Sequence, residues 1–310
     1  EAIMFADINN DSFLDIWAPG ADYTAGGGTD ALWFRGIGIT DFIEETAMPG
    51  LPDDDRPNGE GATAADFTAD GWIDFMWADP STSTQAWTND NDYTYTNHEN
   101  VNADFGLPED VADHENMEWA WGDCDNDGDL DVFISGADNE GLYINNGSGY
   151  FTLSSNITVT DPDGADWGDF DNDGDLDLIV SNNNSVSNLF VNNGTCGFTD
   201  EASNAGLGAS GALGKTVGFF DSDNDGDLDI VTNEPIKFWR NNLDNNNYLK
   251  IIVRGLGNTS NANYSNVMAI GAQINVYDSN NNLVCHREIF ASFNQLQPPK
   301  IQHCGLDPTK

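Results

Sequence analysis

The residues with most chemistry to offer are aspartates, and they recur at one fixed spacing. Segments 7–15, 66–74, 123–131, 169–177 and 221–229 share the layout Asp-x-Asp-x-Asp-Gly-x-x-Asp with small departures. Positions 1, 3, 5 and 9 offer side-chain oxygens. In loop one these are Asp7, Asn9, Asp11 and Asp15, and in loop two Asp66, Thr68, Asp70 and Asp74. Loop three has Asp123, Asp125, Asp127 and Asp131; loop four has Asp169, Asp171, Asp173 and Asp177; loop five has Asp221, Asp223, Asp225 and Asp229. Position 7, held by Phe13, Trp72, Asp129, Asp175 and Asp227, can add a backbone carbonyl. Calcium takes six to eight hard oxygen ligands, and Gly at position 6 permits the sharp turn that such a loop needs. Without a cation, carboxylates so close together repel. The spacing therefore points to about five structural Ca2+ ions.

Position 12 separates this pattern from the helix–loop–helix calcium site, which needs a bidentate Glu there. Here it is Ala18, Trp77, Ile134, Val180 and Thr232. Loop one has Asn9 at position 3 and Ser12 at position 6, and loop two has Thr68 at position 3. Each therefore carries three negative ligands instead of four, so sites one and two are expected to empty first on chelation.

The loops must be held by strands. Each is followed by a short apolar run: Ile16-Trp17, Phe75-Met76-Trp77, Val132-Phe133-Ile134, Leu178-Ile179-Val180 and Ile230-Val231. Such runs suit strands buried on both faces. A second apolar patch and an Asn-Gly turn come next, as in Leu142-Tyr143-Ile144-Asn145-Asn146-Gly147 and Leu189-Phe190-Val191-Asn192-Asn193-Gly194, a hairpin signal. Phe198-Thr199-Asp200 closes a unit, and Phe42-Ile43-Glu44-Glu45 echoes it in the first repeat, with Thr46-Ala47 and Gly50-Leu51 beyond. The loops start 59, 57, 46 and 52 residues apart, the period of propeller blades. The fold class is all-β: a propeller of about five visible four-stranded blades, with a small C-terminal β module.

Composition agrees. The 53 Asp and Glu stand against 10 Lys and Arg, for a net charge of −43 spread along the chain. Such a polyanion repels nucleic acid and anionic membranes. Apolar residues make up 39% and aromatic residues 11%, enough for a core and against disorder. No apolar run is long enough for a membrane helix, so no membrane insertion is expected. No signal peptide is visible, and the chain opens inside a repeat at Glu1-Ala2-Ile3, which suggests a processed or incomplete N-terminus. Of the four cysteines, Cys285 and Cys304 could pair within one short segment, and Cys124 with Cys196; buried free thiols are the alternative. Sequons at Asn146, Asn156, Asn183, Asn193, Asn258 and Asn263 permit glycosylation, whereas the one at Asn10 lies inside a metal loop.

The unit Gly168-Asp169-Phe170-Asp171-Asn172-Asp173-Gly174-Asp175-Leu176-Asp177, with Asn188 to Gly194 and Phe198-Thr199-Asp200, resembles the FG-GAP/VCBS repeat. That repeat builds the calcium-bearing propellers of integrin α-subunits and of many secreted proteins. The resemblance covers about residues 1–245 and implies extracellular adhesion or protein contact. Propellers of this kind usually close with about seven blades; five repeats leave a five-bladed ring, an incomplete chain or completion by a neighbouring chain open. Residues 246–310 lack the Asp loops. Asn247-Tyr248-Leu249, Ala269-Ile270-Gly271-Ala272, Arg287-Glu288 and His303-Cys304-Gly305-Leu306 look like the ASPIC/UnbV module that often follows such propellers. The stretch Phe293 to Lys300, and Asp307 where that module has Gly, depart from it.

No catalytic set stands out. His98, His114, His286 and His303 are scattered, and His114-Glu115 reads as surface. Trp33, Trp87, Trp119, Trp121, Trp167 and Trp239 read as blade packing, with sugar stacking as the rival. The expectation is a non-enzymatic extracellular or cell-surface adhesion or assembly module with a protein or glycan ligand, or self-association as in a filament. A propeller lectin and a calcium-dependent polysaccharide lyase or hydrolase are the alternatives.

Overall fold

Each Asp loop is the hairpin between the first and second strands of one antiparallel sheet. In the computed structural model the described residues are 4–11, 13–18, 32–38, 41–45, 62–78, 84–90, 94–108, 118–136, 140–182, 186–207, 216–233, 236–243, 247–253, 272–289 and 301–306. Ser12, residues 46–51, His114, Glu115, Asn183, Asn258, Asn263, 269–271, 293–300 and Asp307 lie outside them.

Blade one is Met4–Ala6, Asp15–Ala18, Leu32–Gly36 and Phe42–Glu45, paired in chain order. Blade two is Ala62–Ala65, Asp74–Ala78, Thr84–Asn89 and Tyr95–His98. Blade three is Glu118–Gly122, Asp131–Ser135, Gly141–Asn145 and Phe151–Leu153, and blade four is Pro162–Gly168, Asp177–Asn182, Asn188–Asn192 and Phe198–Asp200. Blade five has three strands among the described residues: Val217–Phe220, Asp229–Asn233 and Ile236–Trp239. The position 9 Asp opens the second strand of every blade. One short helix, Val101–Phe105, was not legible in the hydrophobic pattern. Asn100 caps it, and Gly106 ends it at φ 74°.

The core lies between blades, not inside any one of them. One apolar cluster joins blades one and two around Trp17, Phe75 and Trp87, and a second joins two and three around Phe67, Met76 and Trp121. Two more join three to four and four to five. This is why a single repeat cannot stand alone. Close approach sets the residues at each seam. Trp167 of blade four lies on Gly122 of blade three, where a Cβ would meet the indole at 2.8 Å. The Trp167 Nε1–H donates to Ala120 O at 3.0 Å, so the buried indole is satisfied. Trp121 stacks on Phe67 of blade two at 5.9 Å and donates to Thr63 Oγ1 at 2.9 Å.

Past blade five, Tyr248–Ile252 pairs with Ile301–Gly305, and Gln273–Tyr277 with Leu283–Glu288. Cys285–Cys304 ties these two small sheets, and Cys124–Cys196 ties loop three to the turn between the third and fourth strands of blade four. No described helix is long and apolar enough to cross a membrane.

Candidate metal centres

The loops fold by satisfying their own amides with their own carboxylates. The position 1 Asp accepts from the position 5 amide: Asp11 N to Asp7, Asp70 N to Asp66, Asp127 N to Asp123 and Asp173 N to Asp169, all at 3.0–3.2 Å. The position 6 glycine amide also donates to it in loops two to five. The position 5 Asp accepts from the position 7 amide in every loop, at 2.9–3.1 Å. Two left-handed residues make this curl. Gly71, Gly128, Gly174 and Gly226 at position 6 have φ of 90–102°. Position 4 also turns left-handed, at φ 54–64°, in Asn10, Ala69, Asn126, Asn172 and Asn224. Asn tolerates that region better than most residues, which explains its recurrence there.

The position 9 carboxylate fastens the loop to the blade. One oxygen accepts from the start of the loop: Ile8 N, Thr68 N, Cys124 N, Phe170 N or Ser222 N. The other accepts from the third strand or just beyond it: Gly36 N, Asn89 N, Asn145 N, Asn192 N or Asn241 N, at 2.8–2.9 Å.

Carboxylates converge where the spacing placed them. Oxygens of Asp123, Asp125 and Asp127 lie within 4.8 Å of one another, as do those of Asp169, Asp171 and Asp177, and of Asp221, Asp223 and Asp225. Oδ1 of Asp125 and Oδ1 of Asp221 are buried with no hydrogen-bond partner. A buried carboxylate oxygen left so is costly unless something positive meets it. Burial, opposed by backbone hydrogen bonds and reinforced by neighbouring carboxylates, pushes Asp123 up to about 7 and Asp131 up to about 8. Burial does the same to Asp15 and, joined by Asp173 and Asp169, to Asp171, both to about 7. All-oxygen donors, converging negative charge and orphaned buried oxygens fit a hard divalent cation.

Loops one and two differ. Thr68 turns its hydroxyl onto Asp74 Oδ2 at 3.0 Å, and Asn9 bonds to Asp11 through both ends of its amide. Their position 3 groups are thus occupied inside the loop. The position 7 side chains also have other work. Asp175 Oδ1 accepts from Asn126 Nδ2 of the preceding blade, and Asp227 Oδ1 from Asn172 Nδ2, both at 3.0 Å.

Sequence reasoning missed one family of residues. Asn89, Asn145, Asn192 and Asn241 follow or end the third strand of blades two to five. Each Nδ2 reaches back to the position 2 carbonyl of the preceding loop: Ile8 O, Phe67 O, Cys124 O and Phe170 O, at 2.7–3.2 Å. Three of them also donate to the position 8 carbonyl of their own loop. In blade one this place is Gly36, where a Cβ would run into the Leu14 carbonyl. In blades three and four a signal was present in the repeated Asn-Asn-Gly, whose first Asn is the latch and not part of the turn alone; Asn89 and Asn241 lack it.

Of the tryptophans weighed for stacking on a ligand, Trp33, Trp87, Trp119, Trp121 and Trp167 are buried, and Trp239 is half-buried with Lys237 over its ring. His98 lies against Thr88 and Asp104.

An FG-GAP-like repeat model matches residues 66–134, 123–180 and 169–232, together more than half of the chain. No curated protein matches. Among solved structures, the chain is similar to a lectin of Agrocybe aegerita that recognises non-reducing terminal N-acetylglucosamine, at 14% identity and a TM-score of 0.46, over 99% of this chain and 85% of that one. It is also similar to the Photorhabdus luminescens Tc holotoxin pore, at 18% identity and a TM-score of 0.39, over 74% of this chain and 10% of that one. At these values neither likeness bears on a ligand.

Proposed function

This chain belongs to the FG-GAP-like repeat family, and from that premise we propose that it is a non-enzymatic extracellular module for adhesion or assembly, with calcium as a structural ligand of its Asp loops. The observation that carries the calcium reading is the set of converging carboxylates, with a buried, partnerless oxygen on Asp125. The residues that would hold the ion are those at positions 1, 3 and 5, with the position 7 carbonyl. The position 9 carboxylate, which fastens the loop to the blade, keeps a free lone pair on each oxygen and joins them, as its place beside Asp169 and Asp171 in loop four suggests. Calcium supplies charge neutralisation there, and binding only to the folded loops stabilises them by mass action.

Two disulfides support an oxidising, extracellular setting. The strands after residue 246 are read as an ASPIC/UnbV-like module. The partner is a protein or glycan at a cell surface, or another copy of this chain. Electron microscopy of the purified protein, in millimolar calcium and then in excess chelator, tests the reading. Filaments or rings that dissolve in chelator support an assembly subunit. Single particles in both conditions exclude assembly and leave a monomeric binding module. Failure to take up any calcium overturns the reading of the loops.

A further inference from the structure

The loop ends of the blades are covered by the C-terminal strands. Leu283–Glu288 crosses them in order. The Val284 carbonyl sits over Gly174 of loop four, leaving no room for a Cβ there. His286 N donates to Asn126 Oδ1 of loop three at 3.1 Å. Ile289, just after the strand, packs with Leu14 of loop one. On the other side Tyr248 covers Gly226 of loop five and stacks on His303 at 5.7 Å, and His303 Nε2–H donates to Gly226 O at 2.7 Å.

This cover brings cations to the loops, and they are not equivalent. Lys250 pairs with Asp221 Oδ2 while 25% exposed, and Arg240, half exposed, pairs with Asp223. Both have long stems with solvent access and can swing away. Arg287 cannot. It is 5% exposed and donates through Nε to His303 O at 3.0 Å and through Nη1 to His286 O at 2.6 Å. Its Nη2 reaches Asp169 Oδ2 at 3.3 Å and Gly174 O at 3.5 Å. Gly305 N donates to the same carboxylate oxygen, as does Gly174 N, and Asp173 N takes the other. Asp123, at the same position of loop three, accepts from its two loop amides, with His286 Nε2 at 4.0 Å, and feels Arg287 through space without a hydrogen bond to it.

We propose that Arg287 is the resident cation of loop four, so that the docked chain takes up calcium at one loop fewer than its sequence offers. Asp169 Oδ2 already takes three donors, and a divalent ion entering beside the buried guanidinium would meet a like charge within the loop. Calcium entering loop four must displace Arg287, and by linkage a docked Arg287 weakens calcium there by the same factor. Arg287 thus sets which loops take metal and couples calcium level to docking of the C-terminal strands. The inference rests on the calcium reading of the loops.

Native mass spectrometry of the full chain at limiting calcium, counting bound ions, tests it. Asp123→Asn should lower the count by one, whereas Asp169→Asn should leave it unchanged. Arg287→Gln should raise it by one or more. A loss of one ion in Asp169→Asn, or no gain in Arg287→Gln, overturns the proposal. An unaltered chain with no bound calcium overturns the calcium reading itself, and this inference with it. Amide hydrogen exchange on the unaltered chain guards against misfolded variants. Raising calcium past the first equivalents should loosen residues 283–289; increasing protection there overturns the competition.

Discussion

At the scale of single residues, seam asparagines carry as much as loop aspartates. Asn145 donates from its amide nitrogen to Asp131, and from Nδ2 to Phe67 O and Leu130 O. Its Oδ1 accepts from Gly147 N and Gly149 N. Replacing it with Ala strands buried carbonyls at a seam between blades. Asn145→Ala should cost about 2–3 kcal/mol of unfolding free energy, and its exposed neighbour Asn146→Ala under about 1 kcal/mol. Urea unfolding at saturating calcium checks this, and equal effects at the two positions would count against the latch. The convergence of the loop carboxylates could be read from sequence because their spacing is local. The latch's role could not, because its partner lies 68–81 residues away in another blade. The same holds for Asp175 and Asp227, whose side chains serve the seam while their place in the repeat suggested only a backbone ligand.

At the scale of elements, strand runs and Asn-Gly turns marked the sheets well, because short apolar runs and turn chemistry are written in neighbouring residues. The first strands were harder to place. Ala62–Ala65 is small and weakly patterned, and its burial comes from contacts across a seam rather than from its own hydrophobicity. Cysteine pairing stayed open at the sequence level for the same reason. Cys124 stands at position 2 of loop three, whose carbonyl receives the Asn192 latch, so the bridge to Cys196 clamps one seam twice. The bridge closes a chain separation of 72 residues. Cys124→Ala/Cys196→Ala should lower the unfolding free energy by about 2–4 kcal/mol, read from urea unfolding in calcium. An unchanged midpoint and slope would show that the seam holds without the bridge.

At the scale of the molecule, buried charge decides how stability follows pH, and calcium in the loops would reverse its sign. The described blades stand in a row whose seams hold the core, and that row carries much of a −43 net charge. Its loop carboxylates bury negative charge beside negative charge. Without metal, Asp15, Asp123 and Asp171 are pushed up to about 7 and Asp131 to about 8, from an ordinary 3.8. A raised folded-state value means that the folded chain holds protons which the unfolded chain has released. These groups therefore contribute stability that is fully present below about pH 4 and is lost as pH rises to about 8. In chelator, the melting temperature should fall steadily from pH 5 to pH 8. Calcium reverses the preference, because a bound cation favours the ionised carboxylate and expels its proton. The fall should then flatten or invert in saturating calcium, and calcium added at pH 7 should release protons. Calorimetry in two buffers of different ionisation enthalpy reads that release, which should shrink by pH 9, where the carboxylates are already bare. A melting temperature that falls equally with pH in calcium and in chelator would mean that the loops do not take the ion, and the orphaned oxygen of Asp125 would then need a different partner.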